Sequence, residues 1–304
     1  MITAALIGLG KIGYTYDFYR SNDNLILTHF NALNKSTLFQ LKYVIDKDID
    51  SKKDLLKLCL KLGIKCFKDI KYIPESVDLL VISSPSITFP EIFSEYIKQF
   101  NCKCVVGEKL GMLDRTTLQT LLNTSKRLDI KVYTNYYRRS LPETSKLYEQ
   151  IASEKINLIN CVFTGQPENT LPHFIDLISY LLKANPRNFK RFEDNFYCYF
   201  GKTKCSFTQL KGVNYQHYTL DIFGDRLYIN YPMDGMPVEI MRSVDDMLFA
   251  GDKILKKEST LERTSTKSMK HFYNEIFCSI SSGSQQLTTL QEDVTNLNQF
   301  RALI

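Results

Sequence analysis

The chain opens with a short apolar run that leads directly into a closely spaced set of glycines. After the run TAALI come Gly8, Gly10 and Gly13, in the order Gly-Leu-Gly-Lys-Ile-Gly. Glycines at this spacing after a strand allow a tight turn and let backbone N–H groups approach a pyrophosphate without an intervening Cβ. The motif predicts the first strand of a Rossmann domain, with Lys11 and Ile12 joining the three glycines in contact with a dinucleotide. A tight turn that binds no ligand is the alternative.

An acidic residue ends the second predicted strand, as a dinucleotide site requires. Asp46 follows Tyr-Val-Ile, and its carboxylate can accept hydrogen bonds from the adenosine ribose. The same carboxylate would repel a 2′-phosphate, which favours NAD over NADP. Asp46 lies 33 positions beyond Gly13 (46 − 13), whereas about 20 is usual. We therefore expect an insertion over residues 14–27, with a polar centre at residues 20–24, which delays the main first helix until about Thr28.

The first half of the chain alternates short β-branched runs with segments of helical period. This pattern is typical of a parallel sheet covered by helices. We expect one helix over residues 51–62, closed by Gly63, and another over residues 115–128, opened by Asp114. Residues 1–135 are thus predicted to form an α/β Rossmann domain. Its strands are expected at residues 3–7, 40–45, 65–67, 79–82, 103–106 and 131–134.

The second half has a different sequence pattern, in which two helices precede a run of alternating strands and two more helices close the chain. Residues 136–304 are predicted to form an α+β domain with a large open, mainly antiparallel sheet. Gly224 and Asp225 are expected to form a hairpin turn within it. The helices are expected at residues 143–151, 173–182, 270–281 and 290–303. The strands are expected in a run from about residue 189 to residue 241, most clearly at residues 196–200, 206–210, 218–223 and 227–231.

Size and composition exclude several other classes of protein. A chain of 304 residues favours two domains over one. Its formal charge of +6 comes from scattered lysines, which suits anionic small molecules and gives no nucleic-acid-binding arm. The start lacks the basic residues of a signal peptide, and no apolar stretch approaches about 18 residues, so we expect no membrane association. Eight cysteines without a C-x-x-C pair predict a reduced, cytoplasmic protein without a structural metal.

Four segments carry a resemblance that covers essentially the whole chain. They are the glycine motif, VISSP at residues 81–85, Glu-Lys at residues 108–109 and LPHFIDL at residues 171–177. Together they resemble the glucose-fructose oxidoreductase, inositol dehydrogenase and MocA (Gfo/Idh/MocA) family. The resemblance implies a Rossmann domain, a second domain with a larger sheet, an active site between them, and oxidation or reduction of sugars, inositols or nucleotide sugars with NAD(P). It also implies that Ser84, Pro85 and Glu108 contact the cofactor.

Lys109 is the first catalytic candidate. It occupies the lysine position of the family's Glu-Lys-Pro motif, although Leu110 replaces the proline. It also follows a predicted strand, at the edge where open α/β sheets bind ligands, and an ammonium group there can stabilise alkoxide character during hydride transfer. A surface lysine in a lysine-rich chain is the alternative.

His173 is the second catalytic candidate. The resemblance implies a position at the start of the helix that faces the nicotinamide, where an imidazole can remove or return a hydroxyl proton. Four residues earlier many family members have aspartate, whereas this chain has Asn169, which can still form hydrogen bonds but carries no charge. Asp176 follows one helical turn later and is expected to orient the site. A histidine packed at a domain interface is the alternative.

The segment NYYRRSLP, which begins at Asn135, resembles family members linked to bacterial surface-polysaccharide biosynthesis. Asn135, Tyr137 and Arg138 are expected to bind the substrate. The guanidinium group of Arg138 can donate two hydrogen bonds to a phosphate or carboxylate. Adjacent side chains point in different directions, so only one of Arg138 and Arg139 is expected to face the site, and the other to form a domain-interface ion pair. Phe89, near a position where the family commonly has histidine, is expected to give an apolar ligand contact.

Two classes of function remain. The first is an NAD(P)-dependent oxidoreductase acting on a sugar-like, nucleotide-linked or phosphorylated alcohol or ketone. The second is a non-catalytic NAD-binding regulator or scaffold, since the family includes a transcriptional repressor relative that uses the fold to bind partners. Leu110, Asn169 and the short chain favour the second class, whereas Lys109 and His173 favour the first because a binding module needs no acid–base pair. We also expect a homo-oligomer formed through the open sheet of the second domain.

Overall fold

Two compact units make up the chain in the computed structural model, which describes residues 1–20, 24–232, 235–283 and 286–303. Ser21, Asn22 and Asp23, at the centre of the expected insertion, lie outside the described residues. The first unit comprises Met1–Ser140 with Thr266–Val294, and the second comprises Leu141–Ser265 with Thr295–Ile304. Residues 266–294 therefore belong with the N-terminal unit, whereas the sequence pattern assigns everything after residue 135 to one domain.

Seven strands form the sheet of the first unit: β1 Ile2–Ile7, β2 Phe39–Ile45, β3 Lys65–Phe67, β4 Leu79–Ile82, β5 Cys104–Gly107, β6 Lys131–Thr134 and β15 Thr288–Thr289. Their order across the sheet is β15-β6-β5-β4-β1-β2-β3. Strands β1 to β6 run parallel, and β15 pairs with β6 in the antiparallel sense. The order of the six parallel strands is that of a Rossmann domain, which confirms the predicted fold of this region.

The helices of the first unit begin and end largely at the residues that the sequence indicates. Thr28 caps α2 by accepting from the backbone nitrogen of Asn31, and Asp114 caps α5 in the same way. Gly63 closes α3 with a φ of 71°. The helices are α1 Tyr16–Phe18, which continues a π-helical turn at Lys11–Thr15, α2 His29–Asn34, α3 Lys53–Leu62, α4 Phe89–Gln99, α5 Arg115–Arg127, α8 Ser268–Ser282 and the first part of α9 Leu290–Leu297.

Successive residues of the central strands face two separate apolar cores, one on each side of the sheet. Ala4 and Leu6 of β1 pack with α2, α3 and α8, whereas Ala5 and Ile7 pack with α4 and α5. Phe272 of α8 is fully buried in the first of these cores. This burial explains why the C-terminal segment joins the N-terminal unit: without α8, one face of the sheet would be left partly uncovered.

Eight strands form the sheet of the second unit: β7 Ile156–Phe163, β8 Pro186–Phe192, β9 Asn195–Phe200, β10 Thr203–Gln209, β11 Tyr218–Gly224, β12 Leu227–Pro232, β13 Val238–Asp245 and β14 Lys253–Leu261. Their order is β14-β13-β12-β11-β7-β10-β9-β8. Only β7 and β10 pair in parallel; the other neighbours are antiparallel. The predicted open, mainly antiparallel sheet is confirmed, but the hairpin turn consists of Asp225 and Arg226, one residue later than expected, because Gly224 ends β11. The helices of this unit are α6 Pro142–Ala152 and α7 Pro167–Leu182.

Three features of the second unit differ from the sequence expectation. Strands β7 and β14 are additional, and β14 lacks apolar alternation because it is an edge strand exposed over nearly its whole length. Helix α7 begins at Pro167, not at His173. Pro172 indicates a helix start in the sequence, yet it lies inside this helix. No helix in the described ranges is long and apolar enough to cross a membrane.

Candidate functional site

The glycine loop after β1 is packed tightly against the loop after β4. Gly8 has a φ of 87°, which residues with a side chain rarely adopt, and a Cβ there would lie 2.6 Å from the backbone nitrogen of Ser84. A Cβ on Gly13 would collide with the carbonyl oxygen of Gly8 and lie 2.8 Å from Ser83 Oγ. Ser83 Oγ donates to the Gly8 carbonyl oxygen at 2.5 Å. Packing within the fold therefore explains two of the three motif glycines.

Gly10 has no such explanation. Its backbone is extended, with φ −77° and ψ −158°, and a Cβ built there meets no heavy atom within 4 Å. It is exposed, and it immediately precedes the π-helical turn, whose first residue, Lys11, is also exposed. Ile12 packs at the margin of the core. Neither the conformation nor the surroundings of Gly10 require glycine, so open space lies beside this backbone at the start of a helical turn.

Asp46 lies at the carboxyl end of β2 and contacts the glycine loop directly. Its Oδ2 accepts from the backbone nitrogen of Leu9 at 2.7 Å, and its Oδ1 accepts from that of Asp48 at 2.9 Å. Lys52 Nζ lies 3.6 Å from Oδ1, and the Asp46 side chain is 13% exposed. The two parts of the dinucleotide motif are thus joined by a hydrogen bond.

The loop after β4 continues this surface. Ser84 Oγ and Thr88 Oγ1 are 2.8 Å apart, and Thr88 Oγ1 also lies 2.8 Å from the carbonyl oxygen of Pro85. Ser84 is half-buried and Pro85 is exposed. These contacts keep the loop folded back beside the glycine loop.

A buried polar network supports Glu108 at the carboxyl end of β5. His29 Nε2 lies 3.0 Å from Glu108 Oε1, and Asn135 Nδ2 donates to the same oxygen at 2.9 Å. His29 Nδ1 lies 2.7 Å from the Tyr273 hydroxyl. His29, Asn135 and Tyr273 are all buried. Burial alone would raise the pKa of Glu108, but the hydrogen bonds from His29 and Asn135 outweigh it and hold that pKa below its usual value.

Lys109 lies in a loop that is anchored on both sides. Glu108 precedes it, and on the other side the backbone nitrogen of Gly111 donates to Asp293 Oδ2 at 2.6 Å. The same carboxylate oxygen accepts from Thr134 Oγ1 at 2.8 Å. Lys109 is half-buried, and among the described residues no carboxylate forms an ion pair with its ammonium group. The fold thus fixes the backbone on either side of Lys109.

The ring of Phe89 is packed in the core. It is 1% exposed, and it stacks on Phe93 with ring centroids 5.8 Å apart. A Cβ on Gly107 would lie 2.7 Å from both this ring and the side chain of Leu110, so Gly107 leaves the space that these two side chains fill. The expected apolar ligand contact at Phe89 is therefore wrong, because the residue starts α4 with its side chain facing the sheet.

The two adjacent arginines of the segment after β6 differ in their surroundings. Arg139 is buried, and its Nη1 lies 3.3 Å from Glu292 Oε1. Both residues belong to the first unit, so this ion pair is not the expected domain-interface pair. Arg138 is half-buried, with its guanidinium carbon 5.0 Å from the centroid of the Tyr137 ring, which is also half-buried.

Helix α7 carries the candidate residues of the second unit. Asn169 is exposed, His173 is half-buried and Asp176 is buried. Their spacing of four and three residues aligns them on one face of the helix. His173 lies within the helix rather than at its first residue.

The sheet order of the first unit brings its candidates into one row. The loops after β6, β5, β4, β1 and β2 are consecutive neighbours, and they carry Asn135, Lys109, Ser84, Gly8 and Asp46 respectively. Neighbouring strands are about 4.8 Å apart, so the row extends over roughly 20 Å. Open α/β sheets bind ligands at this carboxyl edge, where the strand order reverses. The row can therefore accommodate an extended ligand with an anionic centre at the glycine loop.

Sequence reasoning missed four residues of this edge: Ser83, His29, Tyr273 and Asp293. Ser83 was visible within the VISSP segment, and His29 follows the N-cap of a predicted helix. Nothing in the sequence indicated the other two, because Tyr273 lies 244 positions from His29 and Asp293 lies 182 positions from Gly111.

No protein-family model and no curated protein sequence matches the chain. Solved structures do match it over nearly their whole length. The UDP-N-acetylglucosamine 3-dehydrogenase GnnA of Acidithiobacillus ferrooxidans is similar with a TM-score of 0.74 at 13% identity, over 100% of this chain and 96% of that chain. A super-repressor mutant of Gal80p from Saccharomyces cerevisiae is similar with a TM-score of 0.75 at 15% identity, over 99% of this chain and 94% of that chain.

A third similar structure is an oxidoreductase from Agrobacterium radiobacter in complex with NAD+, L-tartaric acid and magnesium. Its TM-score is 0.67 at 13% identity, over 97% of this chain and 93% of that chain. At such identities the similarity is one of fold, and it includes both the parallel sheet of the first unit and the large antiparallel sheet of the second. The chain therefore has the two-domain α/β fold of the Gfo/Idh/MocA proteins.

Proposed function

We propose that this chain is an NAD-dependent oxidoreductase that transfers a hydride between nicotinamide and the CH–OH or carbonyl group of a sugar-like substrate. The similar structures include a dehydrogenase named for a nucleotide sugar and an oxidoreductase that holds NAD+. They support the reaction class and the cofactor, and the residues of this chain supply the rest of the case.

The observation that carries the proposal is Gly10. Gly8 and Gly13 are glycines because the fold leaves no room for a Cβ, but Gly10 stands in open space with an ordinary backbone conformation. A glycine that the fold does not need is explained by a ligand that approaches the backbone closely. The start of a helical turn, with its free N–H groups, suits the anionic pyrophosphate of a dinucleotide.

The remaining residues of the edge fit the other parts of a dinucleotide. Asp46 would accept from the adenosine ribose hydroxyls, and Lys11 and Ile12 would flank the pyrophosphate. Ser84 and Pro85 follow β4, two strands from β2, and Glu108 follows β5, three strands from β2. These three residues would contact the nicotinamide nucleotide. When bound, the nicotinamide ring supplies the hydride acceptor or donor.

We assign the acid–base chemistry to Lys109 and His173. The ammonium group of Lys109, with which no described carboxylate forms an ion pair, would stabilise negative charge on the substrate oxygen as the hydroxyl proton leaves. His173 would accept that proton on a ring nitrogen and return it in the reverse reaction. Asn169 and Asp176, on the same face of α7, would orient the imidazole and the substrate.

The substrate is proposed to be a nucleotide-linked or phosphorylated sugar. Arg138 offers a guanidinium stacked on Tyr137, a combination suited to a phosphate and an adjacent ring. Asn135 would contribute to the same pocket through its position next to Glu108. UDP-N-acetylglucosamine, named in one similar structure, is the first compound to test.

The decisive test is calorimetric titration of NAD+ into a Gly10→Val variant. A branched side chain would occupy the space proposed for the pyrophosphate, and we expect affinity to fall at least about a hundredfold. Thermal unfolding should change little, because the position is open. Thr15→Val, an isosteric change at an exposed residue of the same turn, is the matched control. Unchanged NAD+ affinity in folded Gly10→Val would refute the phosphate site.

A non-catalytic NAD-binding regulator is the second candidate function. The similarity to Gal80p and the replacement of the motif proline by Leu110 favour it. Denaturing extraction of the purified protein, followed by mass spectrometry of retained nucleotides and sugars, separates the two candidates. Retained NAD together with a sugar substrate that is turned over supports the enzyme, whereas NAD without turnover of any sugar nucleotide supports the regulator.

We also propose that the protein forms homo-oligomers through the open face of the second sheet. Tyr197 and Tyr199 of β9 are 44% and 38% exposed, while Phe196, Cys198 and Phe200, which alternate with them along the strand, are buried. An aromatic sheet face of this kind suits a second copy of the chain. Analytical ultracentrifugation of Tyr199→Lys tests it, with dissociation expected; an unchanged sedimentation coefficient contradicts this interface.

A further inference from the structure

The two carboxylate oxygens of Glu108 have different surroundings. Both protein donors, His29 Nε2 and Asn135 Nδ2, reach Oε1. Among the described residues no group donates to Oε2, and 18% of the side chain remains exposed. The protein therefore holds one oxygen of this carboxylate and leaves the other available at the carboxyl edge of the sheet.

The hydrogen bonds behind Glu108 run in one direction. An ionised carboxylate only accepts, so the nitrogen that faces it, His29 Nε2, carries a proton. The other ring nitrogen, Nδ1, lies 2.7 Å from the Tyr273 hydroxyl and in the neutral imidazole accepts from it. Burial raises the pKa of Tyr273 well above its usual value, so the phenol keeps its proton. Within the described part of the chain the hydrogen bonds end at Tyr273, which is 1% exposed, and such a closed chain fixes a position rather than carrying protons to solvent.

We propose that His29, supported by Tyr273, is a positioning residue that turns the available oxygen of Glu108 toward a hydroxyl group of the ligand at this edge. The ligand hydroxyl is that of the ribose next to the nicotinamide, so the inference rests on the proposed function. Both ring nitrogens of His29 make polar contacts, so its role differs from that of an apolar residue that only fills space in the core. Its contribution is to the orientation of Glu108 and, through the hydrogen bond, to keeping that carboxyl ionised.

Few titratable groups surround this carboxylate. His29 faces it from α2, Tyr273 stands behind His29 on α8, and Lys109 is its neighbour in the loop. Cys104 of β5 faces Tyr273. Replacing His29 leaves Tyr273, Lys109 and Cys104 unchanged. A pH dependence of NADH affinity that appears on this replacement can therefore be assigned to Glu108.

The test measures NADH affinity by nicotinamide fluorescence between pH 5 and pH 8. We expect wild-type affinity to be nearly constant, because His29 and Asn135 keep Glu108 ionised. In His29→Leu the buried carboxyl loses its charged hydrogen bond, and we expect affinity to fall about tenfold from pH 8 to pH 5 as Glu108 takes up a proton. Tyr273→Phe, which removes only the supporting hydroxyl, should give a smaller fall of the same sign.

Glu108→Gln and the double variant His29→Leu with Glu108→Gln are the matched controls. Both should bind NADH more weakly than wild type but with no pH dependence, since the titrating carboxyl is gone. An affinity loss in His29→Leu that is equal at every pH would mean that His29 has only a structural role. A pH dependence that persists in the double variant would assign it to another group, and either result overturns the proposal.

A ligand-free measurement separates this inference from the proposed function. If wild type fails to bind NADH, the proposed function fails, and urea unfolding of wild type, His29→Leu, Glu108→Gln and the double variant decides the positioning role. The pKa of Glu108 is lower in the folded protein than in the unfolded chain. Its contribution to the free energy of unfolding is therefore complete above the unfolded pKa and is lost as pH falls through the folded pKa. The coupling between the His29 and Glu108 substitutions should therefore be present at pH 8 and weaken by about pH 4. No coupling at pH 8 would overturn the proposal.

Discussion

The two ends of the carboxyl edge in the first unit are held in different ways. At the glycine end, which comprises the loop from Gly8 to Gly13 and Asp46, the loop contributes backbone atoms to every contact, and its close packing depends on missing side chains. At the lysine end, which comprises Glu108 and Lys109, buried side chains from distant parts of the chain hold the loop.

Glu108 and Lys109 themselves were predicted from the sequence, and this difference explains why the residues that hold them in place were not. A requirement for no Cβ admits only glycine, so the glycine end leaves a short, dense motif in the sequence. A requirement for a hydrogen-bond partner can be met from any element that packs nearby, as His29, Tyr273 and Asp293 do. Substitutions at the two ends should therefore fail in different ways, and the following predictions test that contrast.

The largest expected effect is on turnover at the lysine end. Lys109→Met keeps the length of the side chain but removes its charge, so turnover should fall about a hundred- to ten-thousandfold. NAD+ affinity should change little, because the proposed cofactor contacts are made by other residues of the edge. Steady-state kinetics with the sugar substrate and calorimetry with NAD+ measure the two quantities. Lys61→Met, at an exposed position at the end of α3, is the control.

His173→Asn extends the same experiment to the second unit. We expect NAD+ binding to be retained and the pH dependence of turnover between about pH 5 and pH 8 to flatten, since an imidazole titrates there. Near-wild-type turnover in both this variant and Lys109→Met would contradict the assigned chemistry and favour the non-catalytic regulator.

The next largest effect is on stability at the glycine end. Gly13→Ala places a Cβ against the Gly8 carbonyl oxygen and Ser83, and we expect the free energy of unfolding to fall by about 3 kcal/mol. Gly10→Ala adds the same atom in open space and should cost less than about 1 kcal/mol. Urea unfolding of the two variants measures the difference. Equal stabilities would mean that the loop can shift to accept a Cβ, and the contrast between the two glycines would be lost.

A smaller loss of stability is expected where the C-terminal segment anchors the lysine end. Asp293→Ala leaves the backbone nitrogen of Gly111 and the hydroxyls of Thr134 and Tyr136 without this acceptor, and should lower the free energy of unfolding by about 2 kcal/mol. Because the glycine end does not depend on Asp293, NAD+ affinity should fall much less than in Gly10→Val. A loss of affinity as large as that of Gly10→Val would show that the two ends are not independent.

The smallest expected effect is on the choice of cofactor. We expect wild type to bind NAD(H) more tightly than NADP(H), because the carboxylate of Asp46 repels a 2′-phosphate. Asp46→Asn should reduce this preference by about tenfold, which corresponds to about 1.4 kcal/mol. The nearby Lys52, 3.6 Å from Asp46 Oδ1, is then free to attract the phosphate. Tighter binding of NADP(H) to wild type in calorimetry would mean that this lysine, or Lys47, already governs selectivity.

Sequence patterns located most elements of the first unit but not the element that completes it. Strands β3, β4 and β6 match their expected bounds, because short β-branched runs between polar loops are readable one at a time. The packing of α8 against the sheet of the first unit could not be predicted from the sequence. Its apolar face is compatible with either unit, and only the uncovered side of the sheet decides where it packs.

The sequence alone determined the positions of most strands of the Rossmann domain, the glycine loop and the acid at the end of β2, because each rests on local rules of backbone geometry. Only the tertiary structure decided which polar side chains reach Glu108 and Gly111, that Phe89 belongs to the core, and that Gly10 is the one motif glycine with open space beside it. These outcomes depend on distances between residues far apart in the chain. Such distances are fixed by the packing of whole elements, which no local pattern of residues encodes.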